Sequence, residues 1–169
     1  MRKFSILVPS ALCLLLAAAP ADALDVARFN ALASQTVQEL NAGNADIAAL
    51  IARQEELVAL GVEGCRELMA SDPDAAEVMR LVIDGAETMK RMDLDEIEEA
   101  WHEGGVLAEH GIDFEELDHF GPVVSHMDSV VHPATAYILL KQYQKDRNRA
   151  HLHQVKEELS EVIEHISHL

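Results

Sequence analysis

The chain has 169 residues, of which 49% are hydrophobic and 4% aromatic, and a formal charge of −17 at pH 7. Such a length is one domain's worth of chain, large enough for a core of its own. The strong negative charge repels nucleic acid and anionic lipid, which argues against both as principal partners.

The N-terminus opens Met1-Arg2-Lys3, so two positive charges precede an uncharged run from Phe4 to Ala19. Pro20 breaks that run, and Ala21-Asp22-Ala23 supplies small residues at the positions a signal peptidase reads. Basic start, apolar middle and small-residue end are the secretory signature. The apolar part is shorter than the ~20 residues that span a bilayer. We therefore expect residues 1–23 to be a cleaved signal peptide and 24–169 a single domain in the periplasm or the medium. Cys13 lies inside the apolar run after Leu12, which is the wrong context for a lipidated cysteine. Cleavage would leave 11 basic and 29 acidic residues, a formal charge of −18. Cys65 would be the sole remaining cysteine, so no internal disulfide supports the fold. The absence of C-x-x-C-H excludes c-type haem.

A first helix is expected over Val26 to Leu40, with Phe29, Leu32, Ala33, Val37 and Leu40 on one face and a stop at Asn41-Ala-Gly-Asn44. A second carries Ile47, Leu50, Ile51, Leu57, Val58, Val62, Cys65, Leu68 and Met69 at steps of three and four. Gly61 and Gly64 would bend it or let a neighbouring helix come close. Cys65 reads as a small buried hydrophobe. Ser71-Asp72-Pro73-Asp74 has the composition of a helix start. The third helix would run to about Arg91 with Ala75, Val78, Met79, Val82, Ala86 and Met89 inward, its methionines packing rather than ligating.

From Asp93 the texture changes. Leu94 to Glu103 suggests a short helix ended by Gly104-Gly105, and residues 104–121 a series of turns and helical pieces suited to a lid or site. Pro122 opens a helical stretch whose spacing continues through Pro133, either as one kinked helix or with a new start at His132-Pro133. Its end is basic, with Lys141, Lys145, Arg147 and Arg149. Leu152, Val155, Leu159, Val162, Ile166 and Leu169 then form a heptad seam, suited to bundle packing or to a homodimer. No strand-like alternation occurs. The pattern predicts an all-α antiparallel bundle of four to six helices with a glycine-punctuated short-helix segment around 104–121.

All nine histidines lie from His102 onward. Imidazole is the commonest side-chain metal ligand, and nearby carboxylates ligate or orient it. His102, His119, His126 and His132, with Asp128, bracket the glycine-rich segment and the proline, and are the candidate metal ligands. Glu99-x-x-His102 and Glu116-x-x-His119 share the spacing of di-iron bundle ligands, but on short segments rather than long core helices. Glu158, Glu161, His165 and His168 fall on one stripe of the last helix, read as a solvated flank although Glu161 and His165 are spaced to chelate.

His with carboxylate suits zinc or iron, His with Met suits copper, and a non-covalent haem between helices ranks lower. No nucleophile elbow, phosphate loop, H-E-x-x-H or redox C-x-x-C is present, so an enzyme is not expected. The leading expectation is an exported, acidic, histidine-rich protein that binds or handles a transition metal. The alternative is a non-catalytic periplasmic adaptor that associates with a protein partner through its C-terminal amphipathic helix.

Overall fold

The computed structural model describes residues 24–169, and the expected signal peptide at 1–23 lies outside the described residues. Five long helices carry the fold: α1 (Val26–Ala42), α2 (Ile47–Ser71), α3 (Ala76–Met89), α6 (Pro122–Asp146) and α7 (Arg149–Ile166). Two short ones, α4 (Leu94–Ile97) and α5 (Gly105–Glu109), lie between α3 and α6, and no strand occurs among the described residues. The protein is an all-α helical bundle. No described helix is long and apolar enough to cross a membrane.

Local chemistry sets the helix ends. Asp25 accepts from the Arg28 N–H, Asp46 from those of Ala48 and Ala49, and Asn148 from that of Ala150. Each satisfies a backbone donor that has no partner inside its helix. Gly43 closes α1 at φ 71°, within the expected stop.

The third helix begins later than its sequence suggested. Ser71 ends α2, Asp72 caps that end, and the Asp72 carboxylate accepts the Asp74 N–H within the turn instead of starting a helix. α3 starts at Ala76 without a side-chain cap. The acid was drawn into its own local turn, a competition typical of Asp.

α6 is the central helix, packed against α2, α3 and α7. It runs unbroken through Pro133 and is buried on nearly every side from Val124 to Leu140. Proline offers no N–H to the carbonyl four residues earlier, here Ser129. α2 comes against that carbonyl: a Cβ at Gly61 would lie 2.4 Å from the Ser129 oxygen. Gly64, farther along, makes room for side chains instead: a Cβ there would lie 2.8 Å from Leu24 and 3.2 Å from the His126 ring. Gly61 thus serves the close approach of α2 and α6.

The α7 seam is used within the chain. Val155, Leu159, Val162 and Ile166 are buried in one core with Phe29, Leu50, Leu57 and Leu140, so of the two uses the seam suits, bundle packing is the one seen within the chain. A second core joins α2, α3 and α6 through Val58, Met79, Val82, Met89, Met127 and Val130, with Trp101 inserted. The methionines are packing residues there.

Cys65 is fully buried, with its Sγ 3.4 Å from the His126 carbonyl oxygen, and burial pushes its thiol up to about 12. The reactive thiolate is therefore suppressed. Native protein should leave an aromatic disulfide reagent unreacted until it is denatured. Reaction at the rate of an unfolded thiol would contradict this burial.

Candidate metal centre

The site is built where the segment between α3 and α6 meets the α6–α7 hairpin. Asp93 and Glu96 form a reciprocal capping box that starts α4, each bond 2.9 Å long. The helix then widens into a π turn over Glu98–His102, closed by the Glu103 N–H on the Glu98 carbonyl at 2.9 Å. Such widened turns cluster at functional positions because they re-aim a side chain. Trp101 anchors this one: a Cβ at Gly85 of α3 would lie 2.5 Å from its ring, so the glycine makes room for the indole. Gly104, at φ 75°, then reverses the chain.

With Trp101 pinned on α3, the next residue meets α6 and α7. His102 Nε2 lies 3.1 Å from Thr135 Oγ1 and 3.9 Å from Glu158 Oε2. His132 Nδ1 lies 2.8 Å from the same Glu158 oxygen and 4.0 Å from Glu161 Oε2. One ligand atom from each of His102, His132 and Glu158 can be chosen so that all lie within 4.8 Å of one another. These three residues come from three separate stretches of chain.

Beside this triad, His165 Nδ1 approaches Asp128 Oδ2 to 3.1 Å, at an angle that makes the contact close without making it a hydrogen bond. The contact distance alone would suggest an ion pair, but burial and angle favour a juxtaposition of uncharged groups. His132 retains 4% exposure, and Asp128 and His165 7% each. A cleft of about 270 Å³ leads inward past His119, Phe120, His165 and Asp128 to His132 and His102. Glu161 and Glu164 also line it, with no lysine or arginine among the lining residues.

The electrostatics follow from burial without a compensating cation. Desolvation, with the charges of Glu161 and Glu158 adding, raises Asp128 to about 7; desolvation likewise raises Glu158 to about 7. Desolvation lowers His132 to about 4, and desolvation with the neighbouring His119 and His132 lowers His165 to about 4. His102 is lowered by burial first and by His132 second. Below about pH 7 the His132–Glu158 contact thus pairs a neutral imidazole with a protonated carboxyl. Neutral imidazole is the form that ligates metal, whereas the carboxyl must shed its proton to do so.

The expected ligands separate into three groups. His102 and His132 meet at the triad, their ring centres 5.1 Å apart. Asp128 lines the cleft next to His165, and His119 stands exposed at its mouth, 4.7 Å from the His165 ring. His126 points elsewhere: its Nδ1 lies 2.7 Å from the Pro122 carbonyl oxygen, and its ring packs near Gly64 of α2. On a helix its position falls well round from that of His132. The two Glu-x-x-His spacings do not build a joint site, since Glu99 lines a different surface cleft with Thr88 and Arg91.

In the sequence Glu158 and His165 read as a solvated flank, whereas in the structure Glu158 belongs to the triad and His165 lines the cleft leading to it. A signal for them did exist. α6 and α7 are joined by two residues, so positions about equally far from that turn face each other. The stripe Asp128, His132, Thr135 on α6 therefore meets Glu158, Glu161, His165 on α7.

Fold and site together define an all-helical bundle with a partly buried histidine–carboxylate cluster opening on an acidic cleft. No protein-family model matches the chain, and no curated protein or solved structure is similar to it at a significant level.

Proposed function

We propose that this chain is an exported metal-binding protein that holds a first-row divalent ion between His102, His132 and Glu158. The observation that carries the reading is the convergence of two imidazoles and a carboxylate, from three parts of the chain, in a partly buried site whose cleft is lined by no lysine or arginine. A buried carboxylate is costly unless a proton or cation compensates it. Two nitrogens and an oxygen suit zinc or iron(II). The soft ligands are engaged elsewhere, with Cys65 against the His126 carbonyl and Met79, Met89 and Met127 in the core, which disfavours copper(I). The cleft, at about 270 Å³, is below the roughly 300–1,000 Å³ of sites that enclose larger organic ligands, so it suits a hydrated ion better than haem. Three protein ligands leave coordination positions open toward the cleft, which suits an ion that is taken up and passed on.

The test is elemental analysis of the untagged mature protein after incubation with Zn²⁺ and gel filtration. One ion per chain is expected, and none retained would overturn the reading. The pH dependence carries its own sign. Glu158, held near pH 7, must deprotonate to bind, so affinity should fall about tenfold per pH unit below that point.

In the metal-free protein the raised carboxyls of Asp128 and Glu158 contribute stability that is complete at low pH and lost as pH rises through about 7. The depressed imidazoles of His132 and His165 contribute in the opposite sense, complete above their ordinary value of 6.5 and lost as pH falls through about 4. Between pH 6 and 7 the two senses oppose one another, with the lowered imidazoles of His102 and His126 adding to the histidine side. The gain in Tm on adding saturating Zn²⁺ should therefore be the clean signal, growing from pH 6 to 7 as Glu158 deprotonates. A gain independent of pH would contradict the site.

A further inference from the structure

The cleft is lined so that ligands continue outward from the triad. His119 is exposed at the mouth, and its ring lies 4.7 Å from that of His165. His165 lies 6.2 Å from His132, which lies 5.1 Å from His102. Exposure falls along this series, from an open His119 to a His132 that is nearly sealed. His165 is itself more than nine-tenths buried, and its Nδ1 faces Asp128 without a hydrogen-bond partner. Phe120 packs on both His119 and His165 and shields the latter from solvent.

A zinc–imidazole bond is roughly 2.0–2.1 Å long, so rings spaced like these can touch one ion between them with small rotations. An ion moving inward then exchanges one ligand at a time and never has to shed its whole shell in a dry interior. The carboxylates of Glu161 and Glu164 in the cleft lining make the route attractive to cations.

We propose that a divalent ion enters and leaves the His102–His132–Glu158 site through this cleft by way of His119 and then His165, which set the exchange rate rather than the affinity. The inference rests on the metal-binding reading, and kinetics separate the two. The chain's single tryptophan, Trp101, lines the same cleft and reports Co²⁺ arrival by quenching.

Stopped-flow mixing with Co²⁺, and extraction from the loaded protein with EDTA, would be compared in wild type, His119→Ala and His165→Ala. Both variants should load and unload about tenfold more slowly, equivalent to about 1.4 kcal/mol of barrier, with the equilibrium Kd nearly unchanged. His119 is exposed, so its variant tests the route even where His165→Ala fails to fold. Wild-type rates in His119→Ala would overturn the relay while leaving the metal site standing. A weaker Kd at unchanged loading rate would also overturn it, by making these residues resident ligands. Absence of Co²⁺ and Zn²⁺ binding in wild type would overturn both readings.

Discussion

His132→Ala and Glu158→Gln should each weaken Zn²⁺ binding by at least about 100-fold, because loss of an outer hydrogen-bond partner alone costs roughly 10–100-fold and these residues are the ligands. Titration calorimetry at pH 7.5 reads the effect directly. Glu158→Gln is the sharper of the two. It keeps the shape of the side chain and removes a carboxyl that burial holds at about 7. The metal-free variant should thus be as stable as wild type at pH 8, or more so, while having lost the ion. A residue with a merely structural role would show the reverse, lost stability with binding retained. His126→Gln is the contrast, since its ring packs toward α2 near Gly64, and full binding is expected. Binding that survives Glu158→Gln, or disappears with His126→Gln, would place the site elsewhere.

The second large effect is expected at Gly61. Alanine in the middle of a helix normally gains up to about 1 kcal/mol over glycine. Here the new methyl would sit 2.4 Å from the Ser129 carbonyl oxygen, and the obstacle is backbone that no rotamer change can move. α2 and α6 would have to part, exposing the core that Val58 and Cys65 share with Val130. Overpacking of this kind costs about 1–3 kcal/mol, and a backbone clash belongs at the upper end. After the propensity gain, a net loss of about 2 kcal/mol should lower Tm by roughly 4–8 °C in a domain of this size. A Tm equal to or above that of wild type would mean that the helices are not in such close contact.

The helices themselves were legible because burial imposes a period on the residues that face it. Val155, Leu159, Val162 and Ile166 could be read as a seam before any neighbour was known. What covers that seam could not, since a partner helix and a second chain make the same demand on sequence. The same limit explains the ligands. His132 was legible as a candidate by residue type, whereas Glu158 looks like any other glutamate on an acidic helix until α6 is laid against it. His126 fails for the matching reason: nearness in sequence to His132 does not place it on the same side of a helix.

By itself, the sequence determined that this protein is helical, that its core rests on packing without a disulfide among residues 24–169, and that its imidazoles gather in the second half. Those properties are carried by composition and local period. The tertiary structure decided which imidazoles face a carboxylate and which face a core. It also decided that a π turn anchored by Trp101 swings His102 toward α6 and α7. Burial, and the protonation state that burial imposes, belong to contacts between residues far apart in the chain.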